Sequence, residues 1–406
     1  MKPRLAIVVS HPIQYQVAWF RALASAVDLT VFFCHRQDGQ GQANAGFAVT
    51  FDWDVPLLEG YRHEWLTNVA ARPNVSTFSG CDTPGVRATL ASGNFDACIV
   101  SGWYLKSYLQ AIRACRQLHI PVFLRGDSHL GSRRSGLRSL VKYVPYRWLL
   151  RWVDGHLYVG RANREYLQHY GVPAERLQFV PHCVDNAFFR ERSAQARADG
   201  SADKFRHSIG VSGETVVVAS VGKLLAGKRV NDLVQGLAAA RSHNVPVHGL
   251  IIGSGPEQAA LERLAHETGA PVTFHGFRNQ TQLPACLAAS DLFAMPSESE
   301  TWGLAVNEAM ACGLPAIVSS AVGCGRDLIV EGRTGWTFPA GDVKALTSVL
   351  GVAAKSVLTQ RSALSAAVAE RIDRYSLEVA VDGTLKAING IARRRLAHRT
   401  ESVAVR

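Results

Sequence analysis

The sequence predicts an α/β protein made of two doubly wound parallel-sheet domains. Short apolar runs typical of buried strands alternate with longer helical stretches along the chain, as in doubly wound sheets. A length of 406 residues exceeds what one small core requires and is typical of two domains. A polar, weakly patterned segment at about residues 186–213 is where we expect the domain boundary.

The predicted strands form two series, one on each side of this boundary. The first series consists of Leu5–Val9, Leu29–Phe33, Ala97–Val100, Val122–Leu124, His156–Val159 and Leu177–Val180. The second consists of Val216–Val221, Val247–Ile252, Val272–His275, Leu292–Met295, Ala316–Val318 and Trp336–Phe338. Helices are predicted between the strands, for example over Gln14–Ala26 and Tyr104–Leu118. Residues 35–80 break the alternation and predict a long insertion over the active-site edge.

Composition restricts the class of protein and its location. A hydrophobic content of 47% with 19% charged residues is typical of a globular protein. No apolar run approaches the ~20 residues of a membrane-spanning helix, and the apolar start is too short for a signal peptide. The eight cysteines form no Cys-x-x-Cys pair, which predicts reduced thiols rather than disulfides or zinc. We therefore expect a cytoplasmic protein without a nucleic-acid partner.

The net charge of +11 is unevenly distributed. Residues 1–190 hold 21 Lys and Arg against 13 Asp and Glu, or +8, and the remainder holds 23 against 20, or +3. This surplus suits an anionic membrane surface or a lipid-phosphate acceptor, and a generally basic solvated surface is the alternative. Residues 132–153 combine basic and aromatic side chains, as in helices at a membrane interface. An ordinary amphipathic helix with its aromatic face in the core is the alternative there.

The stretch from Ser290 to Ser320 combines a strand, a polar loop, a helix and a second strand. Ser299 or Thr301 is expected to cap the helix start, and Gly313 to end it. A helix start that follows a strand of an α/β sheet exposes unpaired N–H groups and positive dipole potential. This arrangement predicts a phosphate site.

Charged residues flank this predicted phosphate site in the sequence. Glu300 and Glu308 would repel phosphate, but they can accept hydrogen bonds from neighbouring sugar hydroxyls. Lys223 and Lys228 follow a predicted strand at a spacing of five and can converge on a diphosphate, while Gly222 lets the backbone turn. Two exposed loop lysines are the alternative interpretation.

Residues 296–315 carry a longer and more specific pattern, Pro-Ser-x-x-Glu-x-x-Gly-Leu-x-x-x-Glu-Ala-x-Ala-x-Gly-x-Pro. It resembles the signature of the retaining, nucleotide-sugar-dependent glycosyltransferases of family 4. The resemblance implies the GT-B fold, in which two Rossmann-like domains face a central cleft. It implies an acceptor-binding domain over residues 1–190 and a donor-binding domain over residues 191–374. It also implies that the C-terminal helix of residues 375–406 packs back on the first domain.

The resemblance implies a role for each candidate site residue. The departing diphosphate would be stabilised by Gly222, Lys223, Lys228 and the helix start at Thr301, Trp302, Gly303 and Leu304. The remaining donor contacts would come from Glu308 on the ribose, Glu300 on the sugar, and Gly276, Phe277 and Arg278 on the base. His129 would lie beside the transferred sugar, and His11 would either face the cleft or cap the next helix. Lys223 stands where the family has arginine, and lysine keeps the charge but lacks the bidentate fork.

The function implied by the resemblance is transfer of a sugar, with retained configuration, from a nucleotide-diphosphate sugar. UDP is the commoner nucleotide in this family and GDP the alternative. The acceptor would be a hydroxyl of a glycan or lipid-linked molecule in polysaccharide or glycolipid biosynthesis. No metal cofactor is assigned, although Asp52 and Asp54 match the Asp-x-Asp metal motif of another glycosyltransferase fold. A sugar-nucleotide epimerase and a non-catalytic nucleotide-binding protein are the alternatives.

Overall fold

The computed structural model describes the backbone of residues 2–37, 39–42, 46–131, 136–211 and 213–404. The chain divides into two compact units. The first comprises residues 1–37, 56–182 and 377–406, and the second comprises residues 38–55 and 183–376. Residues 190 and 191, the predicted boundary, lie within the helix Asn186–Ala198. The two units separate in sequence between residues 182 and 183.

The first unit contains a sheet of seven parallel strands in the order β3-β2-β1-β4-β5-β6-β7. These strands are β1 (Arg4–Val9), β2 (Asp28–Phe33), β3 (Arg62–Trp65), β4 (Ala97–Val100), β5 (Val122–Gly126), β6 (Gly155–Tyr158) and β7 (Leu177–Phe179). Its helices are α1 (Gln14–Ala26), α3 (Val86–Ser92), α4 (Lys106–Gln117), α5 (Gly136–Arg151), α6 (Arg161–His169) and α15 (Leu377–Ala404). The strands β1 and β4 are buried almost throughout, as expected where helices cover both faces of a parallel sheet. The helix α15 packs against α1, β6 and β7.

The second unit contains six parallel strands in the order β10-β9-β8-β11-β12-β13. They are β8 (Val216–Val221), β9 (Val247–Ile252), β10 (Val272–Gly276), β11 (Leu292–Met295), β12 (Ala316–Ser319) and β13 (Gly335–Phe338). The helices are the short α2 (Gly39–Gln42), then α7 (Asn186–Ala198), α8 (Ser201–Ser208), α9 (Val230–Ser242), α10 (Gln258–Thr268), α11 (Leu283–Ala288), α12 (Leu304–Ala311), α13 (Gly325–Leu328) and α14 (Val343–Asp373).

Two features differ from the sequence prediction. The predicted insertion of residues 35–80 contains β3, an edge strand paired with β2. Because β3 is partly exposed and rich in polar residues, it lacks the apolar run of a central strand. The segment at about residues 186–213, where the domain boundary was expected, is mostly helical, because α7 and α8 occupy most of it.

No helix in the described part of the chain is both long enough and apolar enough to cross a membrane. All eight cysteines are buried as free thiols.

Candidate donor-binding site

The loop after β8 and the loop after β9 lie against each other at the carboxyl edge of the second sheet. Gly253 has a φ of +148°, and a Cβ atom there would lie 1.9 Å from the carbonyl oxygen of Gly222. The Leu224 N–H also donates to the Ser254 carbonyl at 2.9 Å. Glycine is therefore required at residue 253, since only a backbone without Cβ allows this close approach.

The two lysines of the first loop lie together with Glu300. The Lys228 Nζ is 2.5 Å from Glu300 Oε2, and both side chains are partly buried. Burial lowers the pKa of Lys223, and the nearby Lys228 cation lowers it further while Glu300 opposes the change. The arrangement places two ammonium groups beside one carboxylate, so a net positive charge is available to an anionic ligand.

The helix α12 begins next to this cluster, but its start differs from the prediction. Its N-cap is Gly303, with a φ of +104° and no capping side chain, so the expected capping by Ser299 or Thr301 is wrong. Trp302 precedes the helix and is buried, and its Nε1 donates to Asn307 Oδ1 at 2.8 Å. Because the N-cap is a glycine without a side chain, the first N–H groups of the helix can donate hydrogen bonds to an anion.

The backbone around Glu300 is held by a second loop. The Glu300 N–H donates to the Ala321 carbonyl at 3.2 Å, and the Gly323 N–H donates to the Glu300 carbonyl at 3.0 Å. A Cβ at Gly323 would lie 2.0 Å from the Thr301 carbonyl oxygen, so the two loops are in close backbone contact. These contacts position the Glu300 side chain opposite Lys228.

Glu308 lies on α12 and is 9% exposed. Burial raises the pKa of its carboxyl to about 7, while a hydrogen bond from Gln280 acts in the opposite direction. The distance from Gln280 Nε2 to Glu308 Oε1 is 3.3 Å. Gln280 was not identified from the sequence, since it belongs to no motif and reaches Glu308 only through the fold.

The predicted base-binding residues lie at the end of β10 and directly after it, at the same edge of the sheet. Gly276 has a φ of +70°, and its carbonyl accepts from the Gly253 N–H at 2.8 Å. The guanidinium of Arg278 donates to the Phe277 carbonyl at 2.8 Å. Because β10, β9, β8 and β11 are neighbours in the sheet, the loops that carry Lys223, Ser254 and Phe277 lie side by side.

Two further candidates, His11 and His129, belong to the first unit, where they follow β1 and β5. Burial, together with the nearby His35, lowers the pKa of His11 to about 4, so its ring is neutral at physiological pH. Its Nδ1 lies 2.9 Å from Ser10 Oγ. It does not cap α1, whose N-cap is Ile13. His129 is 8% exposed, and its Nδ1 accepts from the Gly131 N–H at 3.1 Å.

The Asp-x-Asp pair lies in the second unit, where Asp54 has a protein partner. Its carboxylate accepts hydrogen bonds from the backbone N–H and the hydroxyl of Thr281. Within the described residues, no group of three or more His, Cys, Asp and Glu side chains is arranged to hold a metal ion.

Comparison with known sequences identifies related domains in both units. The family described as glycosyl transferase 4-like domain matches residues 12–183, and glycosyl transferases group 1 matches residues 201–354. A sulfoquinovosyl transferase from Arabidopsis thaliana is 39% identical over 132 residues, which are 32% of this chain and 25% of that protein. The GDP-mannose-dependent alpha-(1-6)-phosphatidylinositol monomannoside mannosyltransferase of Mycolicibacterium smegmatis is 31% identical over 205 residues, covering 48% of this chain and 51% of that protein. The chain therefore spans about half or less of the length of these curated relatives.

Among solved structures, Anabaena HepE in complex with UDP is similar over almost the whole chain. The TM-score is 0.72 at 18% sequence identity, and the match covers 95% of this chain and 99% of that chain. This likeness, together with the two parallel sheets of seven and six strands, confirms the GT-B fold.

Proposed function

We propose that this chain, which belongs to the glycosyl transferases group 1 and glycosyl transferase 4-like families, transfers a sugar from a nucleotide-diphosphate sugar to an acceptor hydroxyl with retained configuration. The observation that supports this proposal best is the cluster of Lys223, Lys228 and Glu300 beside the uncapped start of α12. Two cations and a helix start match the charge of a diphosphate, and a carboxylate matches the hydroxyls of the attached sugar.

In the proposed reaction, the bond between the sugar and the β-phosphate breaks while negative charge develops on the diphosphate. Lys223, Lys228 and the N–H groups at Leu304 stabilise that charge, and such preorganised stabilisation is usually the largest catalytic term. Lys228 leaves its ion pair with Glu300 and binds a phosphate oxygen instead. The Glu300 carboxylate can then accept a hydrogen bond from a sugar hydroxyl. Glu308 accepts the ribose hydroxyls. The acceptor hydroxyl oxygen forms the new bond to the anomeric carbon, and its proton passes to the departing β-phosphate, so no metal and no second carboxylate is required.

We propose UDP as the nucleotide and a glycan or lipid-linked hydroxyl as the acceptor. HepE was solved with UDP, which supports the first choice, and the mycobacterial relative is named for GDP-mannose, which makes GDP the alternative. The same relative is named for a phosphatidylinositol monomannoside acceptor, which supports a role in glycolipid or polysaccharide biosynthesis.

Replacing Lys228 tests the proposal. A thermal-shift screen with UDP-glucose, GDP-mannose and related donors first identifies the donor, because a bound ligand stabilises the folded state by mass action. With that donor at saturation, Lys228→Ala is expected to lower kcat by at least about 100-fold, the loss typical of one charge stabiliser. Lys355→Ala, on an exposed part of α14, is the matched control and is expected to leave kcat unchanged.

An unchanged kcat in Lys228→Ala would contradict the assigned role. Mass spectrometry of the donor incubated without acceptor distinguishes the alternatives. Conversion of the sugar in the absence of acceptor would indicate an epimerase. Binding without transfer or hydrolysis, under any acceptor condition, would indicate a non-catalytic protein.

We further propose that the first unit contacts an anionic membrane surface through the end of α5. Val144 and Trp148 are 71% and 62% exposed, and Trp148 stacks on Trp152 with a ring separation of 5.0 Å. Arg151 is exposed next to this aromatic pair. Trp152 is partly buried against the core of the first unit, so Trp148 is the exposed ring of this pair. An exposed aromatic ring beside a basic group is typical of interfacial helices. Residues 132–135 of the predicted basic stretch lie outside the described residues.

A further inference from the structure

An aromatic segment of residues 46–54 belongs to the second unit although the chain enters it from β2 and leaves it toward β3. It carries three partly exposed rings, those of Phe47, Phe51 and Trp53. Trp53 meets Phe47 and Phe51 edge-on, at ring separations of 6.3 and 5.0 Å. The proposed function does not account for this concentration of aromatic surface.

The aromatic segment packs on Phe277, the residue that follows the turn at Gly276. The Phe51 ring lies 4.3 Å from the Phe277 ring at an interplanar angle of 38°. Phe47 meets the same ring edge-on at 5.6 Å. Aromatic pairs at such separations are favourable beyond their apolar area, so Phe277 and the segment form one cluster.

Hydrogen bonds attach the aromatic segment to two neighbouring loops. Ser254 Oγ donates to the Phe47 carbonyl at 2.5 Å, and Asn279 Nδ2 donates to the Asp52 carbonyl at 2.7 Å. Thr281 donates to the Asp54 carboxylate through its backbone N–H, at 3.2 Å, and through its hydroxyl. None of these bonds uses the backbone N–H groups of Phe277 or Arg278, whereas the Phe277 carbonyl already accepts from the Arg278 guanidinium at 2.8 Å.

The aromatic segment also touches the diphosphate side of the proposed donor site. The Lys223 Nζ lies 4.6 Å from the centroid of the Phe47 ring. A neutral ring attracts the cation without neutralising its charge, unlike a carboxylate. The Lys223 ammonium group can therefore contact Phe47 on one side and a phosphate oxygen on the other.

We propose that residues 46–54 form a wall of the donor site and that Phe47 and Phe51 determine nucleotide affinity. The inference rests on the proposed function, and it adds the part of the site that contacts the base and the α-phosphate side of the donor. All the anchoring contacts lie on loops that follow β8, β9 and β10, which are the loops proposed to hold the nucleotide. A base that binds at Phe277 then has aromatic surface on the segment with which to stack.

Calorimetry with UDP and GDP tests the inference on the full chain. Phe47→Ala and Phe51→Ala are each expected to weaken binding of the preferred nucleotide by about 10-fold, since base–aromatic stacking is commonly worth this much. Phe51→Tyr, which keeps the ring, is expected to bind within about 3-fold of the unmodified protein, as a retained stacking surface predicts. Phe78→Ala removes an exposed ring of the first unit, 55% exposed, and is expected to have no effect.

A second pair of variants separates binding from folding. Thr281→Val removes the hydroxyl bond to Asp54 but keeps the backbone N–H bond and all the rings, so it is expected to weaken nucleotide binding less than Phe51→Ala does. Nucleotide binding is also expected to change tryptophan fluorescence, and Trp53→Phe is expected to remove most of that change. Circular dichroism of each unliganded variant checks that the fold is intact.

Three results would overturn the inference in different ways. Equal affinity of Phe47→Ala, Phe51→Ala and the unmodified protein shows that the segment makes no contact with the nucleotide. Tighter binding by these variants shows that the segment competes with the nucleotide for the site. If the unmodified protein binds neither UDP nor GDP, the proposed function fails together with the inference.

Discussion

Glu308 illustrates how its surroundings set the chemistry of a single residue. Its position eight residues after Glu300 was evident in the sequence, but its burial on α12 and its bond from Gln280 were not. With a pKa raised to about 7 by burial, the carboxyl is partly protonated at neutral pH. Ribose hydroxyls would supply the hydrogen bonds that the ionised form requires in a buried place.

The raised pKa of Glu308 predicts that stability decreases as pH rises. Below pH 4.5, the ordinary pKa of the group, it is protonated in both the folded and the unfolded state and has no effect. Between pH 4.5 and about 7 the unfolded state loses the proton more readily, so the free energy of unfolding decreases with rising pH. Above pH 7 the free energy of unfolding is lower by about 3 kcal/mol than it is below pH 4.5, as the difference between the ordinary and the raised pKa of Glu308 implies.

Urea unfolding of Glu308→Gln measures this cost. The amide cannot ionise, so the variant is expected to gain about 3 kcal/mol of stability relative to the unmodified protein between pH 4.5 and pH 8. Glu267→Gln, on an exposed part of α10, is the control and is expected to show no such gain. A pH-independent difference for Glu308→Gln would show that the carboxyl is not buried in solution.

At the scale of elements, α7 and α8 show why a polar sequence can still be ordered. Neither helix has the apolar pattern of a core helix, yet α7 packs on α11 and α12, and α8 packs on α11. The Asp185 carboxylate accepts from the Phe188 N–H at 3.0 Å and caps α7. Tertiary contacts therefore stabilise helices that local sequence predicts weakly.

Asp291 links three elements through a buried carboxylate. It accepts from Arg206 on α8 at 2.8 Å, from Arg361 on α14 at 2.5 Å, and from the Val217 N–H of β8 at 2.8 Å. Because the Asp291 side chain is only 3% exposed, its removal leaves partly buried Arg206 without its charged partner. This carboxylate joins the helix that precedes the second sheet to the long helix that follows it.

Asp291→Ala is expected to lower the free energy of unfolding by about 3–5 kcal/mol, the range for breaking a buried ion pair. The matched control is Asp373→Ala, which removes an Asp–Arg pair whose side chains are 57% and 48% exposed. An exposed pair contributes about 0–1 kcal/mol. Urea midpoints of the two variants provide the comparison, and similar losses in both would mean that Asp291 is not buried in solution.

At the scale of the whole molecule, the two units differ in net charge and in the parts of the chain that form them. Residues 1–37, 56–182 and 377–406 hold 26 Lys and Arg against 12 Asp and Glu, or +14, and the proposed membrane contact on α5 lies within them. Residues 38–55 and 183–376 hold 18 against 21, or −3. The residues proposed to bind the diphosphate belong to the second unit, where Lys228 and Glu300 form an ion pair. The chain contributes to the second unit from two separate parts, residues 38–55 and 183–376.

Vesicle flotation tests the membrane contact. The protein is expected to float with anionic vesicles at low salt and to be released at high salt, because salt screens exposed charges beyond the Debye length. It is expected to stay unbound with zwitterionic vesicles. A double variant, Trp148→Ala with Arg151→Ala, is expected to lower the bound fraction several-fold, whereas Lys355→Ala is expected to bind normally. No flotation at low salt would exclude this surface as a membrane contact.

The two series of strands and the donor motif are evident from the residues alone, because both depend on residues that are close together in the chain. Apolar runs such as Val216–Val221 and Val247–Ile252 coincide with their strands. The edge strand β3 was not predicted. An edge strand pairs on one side only and can form without a continuous apolar run, which is the pattern used to predict the other strands.

Contacts between residues that are distant in the chain become evident once the chain is folded. The ion pair of Lys228 with Glu300 spans 72 positions, and the hydrogen bond from Ser254 to Phe47 spans 207. The local sequence pattern does not predict such contacts. They arise because the loops that follow neighbouring parallel strands lie at the same edge of the sheet. The same burial that creates these contacts raises the pKa of Glu308, so the electrostatics of the site follow from packing rather than from residue type.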